Sequence, residues 1–299
     1  MFVHLVVAAI AWGTGGAVAS LLYQESGLGP VAVTWWRFAI GAAMLAAFAR
    51  VFGCRASAGA NPGSASKAAT GRLVLLGLGM AISQTAYFAA VGRCGVAVAT
   101  VITLGVSPLL VAIGERLLLA ERISNLQGVV LVLAIGGLCL LALDGGADAR
   151  ASVSGVALAL LSGATYAGVI LVQRGSNSGD ASSDTLAALV VGAVCLLPLA
   201  LVEGILPAKS VSSTVAMLIY LGAVPTALAY GLFFAALGRV KATTASVVAL
   251  LEPVTAAAIG VTLLHERLTV AAATGALVLL LAVACYPVLG LRAGGRRAG

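Results

Sequence analysis

Two ionisable side chains, Glu252 and Arg37, stand inside long apolar runs, where a charge is costly and marks a functional candidate by default. Glu252 lies mid-run, directly before Pro253. It can hold a substrate amine or a coupling proton, or it can be a protonated residue that packs helices through hydrogen bonds. Arg37 lies about two helical turns into its run and is expected to snorkel towards the headgroups or to pair locally. No second acid is expected at depth beside Glu252, so an uncoupled process fits as well as a proton-coupled one.

Hydroxyl and aromatic groups form a second set of candidates. Thr100, Thr103 and Ser107 recur at i, i+3 and i+7 on one helical face, and the corresponding positions 145 or 146 residues on are Ser246, Ala249 and Glu252. These small polar residues either let helices approach closely or flank a polar cavity. Pro108 and Pro253 have no N–H for the carbonyls of Leu104 and Ala249, so each frees an acceptor at depth, as a hinge or as a fixed kink. Trp12, Tyr87, Tyr166 and Tyr230 also lie within runs, Trp12 and Tyr166 at corresponding depths. Gln84 shares a face with Tyr87, Ser162 and Gln173 with Tyr166, and Thr226 with Tyr230. Buried Trp and Tyr need partners for their polar hydrogens, and such a ring suits a zwitterion with an aromatic or apolar side chain. Trp35, Trp36 and Tyr23 fit an interfacial belt instead.

Other chemistry lacks its residues. His265-Glu266 begins a zinc motif that fails at Thr269, and His4 is the only other histidine. There is no Gly-x-Ser-x-Gly nucleophile elbow and no phosphate-binding Walker loop, so neither hydrolase chemistry nor ATP hydrolysis is expected. The five cysteines (Cys54, Cys94, Cys139, Cys195 and Cys285) form no C-x-x-C pair. No enzyme activity, cofactor or metal is therefore expected.

The elements that must position these residues are membrane helices. Hydrophobic residues make up 61% of the 299 and charged ones 9%, too few charges to coat a water-facing surface. Runs of helical length cover 2–22, 30–49, 73–92, 96–119, 126–143, 154–173, 185–206, 212–237, 243–264 and 271–291. Two-residue alternation is missing, which argues against strands. The first run lacks a positive n-region and is read as a retained helix. Segment 53–71 is the longest loop, with breakers at Asn61-Pro62-Gly63-Ser64. The net charge of +7 lies in the gaps between runs, so it reads as membrane orientation rather than nucleic-acid binding. With the N-terminus inside, 12 of the 17 Lys and Arg residues fall on the cytoplasmic side and four on the other, which predicts both termini cytoplasmic.

The chain also repeats itself. Tyr87–Arg93 recurs as Phe233–Arg239 with five of seven residues identical. Each copy is followed by a proline, Pro108 or Pro253, and then by Leu-Leu-x-Glu-Arg at 118–122 or 263–267. Five helices per copy is an odd number, so the copies enter the membrane from opposite sides, with Arg93 outside and Arg239 inside. The expected fold is all-α and integral to the membrane: ten transmembrane helices as two inverted five-helix repeats around a central cavity. The divisions are 1–143, a connector 144–153, and 154–299 with a basic tail.

The two five-helix units, the mid-helix prolines, Glu252-Pro253 and the Glu-Arg-(Ile/Leu)-(Ser/Thr) ends resemble EamA-type members of the drug/metabolite transporter superfamily, over about 2–143 and 154–291. Within it the chain is similar to bacterial aromatic amino acid exporters of the YddG type. The resemblance implies export of amino acids across the inner membrane by alternating access. Trp12, Gln84, Tyr87, Tyr166 and Tyr230 would shape the pocket, Thr103, Ser107, Ser246 and Glu252 would add polar contacts, and Pro108 and Pro253 would act as hinges. The partners implied are a small-molecule substrate and lipid, and one chain suffices. Ser107-Pro108 stands where the second half has Glu252-Pro253, so a role for the acid need not be symmetric. A broad exporter of cationic or amphiphilic compounds, or a channel-like facilitator, would use the same elements.

Overall fold

A computed structural model of the chain describes residues 1–51, 67–121, 124–142, 152–175, 181–207, 209–263 and 269–295. The regular structure among the described residues is all helical. Long Ala/Leu/Val-rich runs close their own backbone hydrogen bonds, which is what a lipid-facing segment requires. Helix α1 (Phe2–Ser26) stops at Gly27, whose φ of 71° is the left-handed conformation that commonly ends helices. Helix α2 (Pro30–Val51) begins on a proline, whose missing N–H costs nothing in a first turn.

The chain then departs from the expected helices in three places. The predicted runs 73–92 and 96–119 are two limbs of one element, α3 (Lys67–Leu118), joined at Gly95. Its φ of 79° and ψ of 160° suit only glycine, so the corner needs no loop. Helices α4 (Asn125–Ala142), α5 (Val153–Arg174) and α6 (Ala181–Glu203) follow as expected. The run 212–237 is divided into α7 (Val211–Gly222), a π-helical turn (Ala223–Leu228) around Pro225, and α8 (Ala229–Leu237). The run 243–264 is broken at Leu250 into α9 (Ala242–Ala249) and α10 (Leu251–Leu263). Leu250 N–H turns back to Val247 O at 3.1 Å, one turn before Pro253. Helix α11 (Val270–Gly295) closes the order.

Among the described residues, seven segments are long and apolar enough to cross a membrane, and Phe2–Gly16 and Val270–Tyr286 are shorter apolar stretches. Thr70–Leu118 has 49 residues, about twice the ~20 that one crossing needs. Large apolar side chains such as Val132, Leu133, Val194 and Leu281 are exposed in mid-helix, the signature of a lipid-facing surface.

Helix α5 lies against both limbs of α3, and α1 lies against α7, the π turn, α8, α9 and α10. Helices α4 and α11 pair at Gly137 and Gly275, where a Cβ on Gly275 would stand 2.5 Å from Gly137 O. Most of segment 53–71, most of the 144–153 connector, Arg122, His265-Glu266-Arg267 and Arg296-Arg297 lie outside the described residues.

Candidate functional site: a cavity with an aromatic wall

A cavity of about 410 Å³ lies among α1, α2, both limbs of α3, α5, α8 and the break between α9 and α10. It extends towards the Gly95 corner, where its rim residues Gly16, Gly92 and Val96 are exposed. Seven of the nine predicted contact residues line it: Trp12, Gln84, Tyr87, Thr103, Tyr166, Tyr230 and Glu252.

Helix packing brings these residues together. A Cβ on Gly13 would stand 2.7 Å from Glu252 O and 2.5 Å from Thr255 Cβ, so only glycine there lets α1 seat Trp12 beside the α9–α10 break. The Trp12 ring meets Tyr230 edge-on at 5.2 Å and Phe233 at 5.1 Å, an aromatic wall shared by α1 and α8. On the α3–α5 side, Ser83 donates to Ser162 O at 3.1 Å and Ser162 donates back to Ser83 O at 2.8 Å. Tyr87 OH and Thr100 Oγ1 are 2.8 Å apart.

Several polar groups on the wall have no protein partner. Among the described residues, Gln84, Tyr166, Tyr230 and Glu252 make no hydrogen bond or ion pair through their side chains. Trp12 Nε1 is buried with no acceptor in reach. Polar side chains that face a cavity and have no protein partner are open to hydrogen bonds from a solute or water.

Two predicted contacts lie elsewhere. Ser107 donates to Thr103 O at 2.8 Å and to Gly163 O at 3.0 Å, locking α3 to α5. Ser246 donates to Thr243 O at 2.9 Å within α9. Thr103 lines the cavity, yet its hydroxyl also serves packing, donating to Ala159 O at 3.2 Å. Pro108 is carried inside α3 and Pro253 inside α10. Ala249, whose carbonyl Pro253 cannot bond, lines the cavity. Gln173, two turns along α5 from Tyr166, is not part of the cavity lining and donates to Asp184 Oδ2 at 3.2 Å. Trp36 Nε1 donates to Ile205 O at 2.9 Å.

Two charged residues depart from the sequence expectation. Arg37 lines the cavity instead of reaching for the headgroups, and its Nε donates to Thr226 Oγ1 at 3.3 Å. Glu115 is a second buried acid, 1% exposed, accepting from Ala242 N and Thr243 Oγ1. A carboxylate at that place satisfies the open N–H groups of the first turn of α9 and meets the positive end of its dipole. It belongs to the end of the bundle opposite the corner. There Glu121 pairs with Arg174 at 3.0 Å and Lys241 at 3.5 Å, and Arg72 makes a two-pronged pair with Asp184 at 2.7 Å.

The chain matches the EamA-like transporter family over two stretches, residues 2–143 and 153–286. It belongs to that family. An uncharacterized transporter, YwfM, of Bacillus subtilis (strain 168) is 31% identical over 270 residues, 89% of this chain and 86% of that protein. A crystal structure of a protein superposes with a TM-score of 0.80 at 18% identity, covering 97% of each chain, a likeness of fold. For an EamA transporter the cavity is notable in drawing its wall from both matched stretches. Trp12 to Leu104 come from the first, Ser162 to Glu252 from the second.

Proposed function

We propose that this EamA transporter exports amino acids, aromatic and other apolar ones among them, across a bacterial-type inner membrane by alternating access. The observation that carries the reading is the cavity itself: unpaired polar groups converge beside an aromatic wall at the junction of the two halves. Its volume lies within the range of small-molecule sites. A cavity serving only organic cations would have use for Glu252 but none for Arg37.

The same reading takes the chain as ten crossings in two inverted five-helix repeats, 1–143 and 154–299, with both termini cytoplasmic and lipid around a single copy. Counting Thr70–Leu118 as two crossings divided at Gly95, and adding the two shorter apolar helices, turns the seven candidate spans into ten. The reciprocal packing of α5 on α3 and of α1 on α8 and α10 supports a pseudosymmetric pair. The positive-inside bias makes the Gly95 corner the outer end. The cavity is then open outward and closed inward by Glu115 on α9, Glu121 with Arg174 and Lys241, and Arg72 with Asp184. Each of these joins a residue before 143 to one after 153, so loading from the cytoplasm requires their separation. Pro108 and the Leu250–Pro253 break are the hinges in this scheme.

Counterflow of labelled Phe, Tyr, Trp, Thr and Met in proteoliposomes tests the assignment. Saturable, mutually competing flux of at least one aromatic amino acid is expected. Its absence for all five would remove the amino-acid reading.

A further inference from the structure

Arg37 and Glu252, a base and an acid, both line the cavity, yet among the described residues no ion pair joins them. Among the described residues the Glu252 side chain has no hydrogen-bond partner, and that of Arg37 has one, the 3.3 Å contact from Nε to Thr226 Oγ1. The remaining guanidinium donors find no acceptor among the described residues. Leaving two opposite charges apart in a largely apolar enclosure is costly for each. A solute that presents both partner charges offsets both costs at once.

The placement of Arg37 is enforced by its helix. Gly41, one turn along the same face of α2, sits so close to the π turn that a Cβ there would lie 2.8 Å from Thr226 Cγ2. Gly222 is as close to α2 from the other side, a Cβ on it falling 2.5 Å from Ile40 Cγ2. This face of α2 is therefore committed to the protein interior and cannot turn Arg37 towards lipid. Thr226 is itself fixed, donating from the π turn back to Leu221 O of α7 at 2.8 Å, and π turns recur at functional sites. Nε is thus held and the terminal nitrogens of the fork stay free for a planar anion, the geometry that suits a carboxylate.

We infer that Arg37 is a substrate-contacting residue and that Arg37 and Glu252 together form a two-charge clamp for a zwitterion, Arg37 taking the carboxylate and Glu252 the ammonium group. The inference rests on the amino-acid reading above and adds the recognition of the backbone groups, which the aromatic wall of Trp12, Tyr166 and Tyr230 cannot supply. A solute lacking either charge leaves one member of the clamp unpaired in the enclosure, and discrimination of that kind is large.

Three probes that share one phenylethyl skeleton separate the charges: L-phenylalanine, phenethylamine without the carboxylate, and 3-phenylpropanoate without the amine. Competition by each against labelled phenylalanine counterflow is measured for the full-length wild type, Arg37→Gln, Arg37→Lys and Glu252→Gln. The wild type is expected to favour phenylalanine over either analogue by at least about tenfold. Arg37→Gln should shrink the phenylalanine-to-phenethylamine ratio by at least about tenfold, and Arg37→Lys by less. Glu252→Gln should shrink the phenylalanine-to-phenylpropanoate ratio instead. Flux of phenylalanine with ratios untouched by these substitutions overturns the clamp and leaves the amino-acid reading standing. A wild type that moves none of the five amino acids tested above overturns both. If Arg37→Gln is not recovered as a monodisperse protein, Arg37→Lys decides: a smaller fall of the same ratio supports the clamp, and an unchanged ratio overturns it.

Discussion

Glu115 and Glu252 are both carboxylates within apolar helices, but the protein uses up one and leaves the other open. Glu115 takes the Ala242 N–H and the Thr243 hydroxyl, while Glu252 meets only the cavity. Replacing Glu115 with Ala would strand buried donors at the start of α9, at a cost of about 2 kcal/mol or more. A lowered thermal midpoint in detergent is expected for Glu115→Ala, and a much smaller change for Glu252→Gln; equal midpoints for all three proteins would refute the capping role. Glu252 was legible in the sequence because it stands mid-run beside Pro253. Glu115 was not, since next to Arg116 near the end of a run it reads as an interfacial residue. Its burial depends on α9 docking from 127 positions away, which no local pattern contains. Arg37 was legible as a charge within a run, but its place on the cavity was not, for the same reason. Its inward direction is set by Gly41 against Thr226, a contact between distant helices.

At the scale of elements, apolar length located the helices, and the departures came from local backbone chemistry. Gly95 made two predicted spans into one bent element, and Pro225 and Pro253 each accompany a distortion that lies a few residues away or spreads over a turn. The hydroxyl stripe Thr103–Ser107 was open to two readings, and its bonds to Ala159 O and Gly163 O show it joining α3 to α5. Glycines placed at helix crossings carry a definite expectation. At Gly275 a Cβ would fall 2.5 Å from both Gly137 O and Leu141 N, so Gly275→Val must push α11 off α4. Overpacking of this kind costs about 1–3 kcal/mol. A reduced thermal midpoint with little change in the phenylalanine-to-phenethylamine ratio is the expected outcome, because the α4–α11 pair lines no part of the cavity. An unchanged midpoint would mean that the two helices do not approach so closely.

For the whole molecule, the repeat in the sequence and the reciprocal packing of α1 and α5 are what the proposed arrangement rests on: two bundles of opposite orientation with a shared cavity between them. In that arrangement Arg93, beside the Gly95 corner, and Arg239, at the turn before α9, mark equivalent places in the two halves. The most direct test puts a single cysteine at one or the other of these positions in a cysteine-free background and labels intact cells with a membrane-impermeant maleimide. Labelling at position 93 from outside, and at position 239 only after the membrane is permeabilised, is the result expected. Labelling of both positions from the same side would contradict the inverted arrangement, and with it the assignment of an outer and an inner end to the cavity.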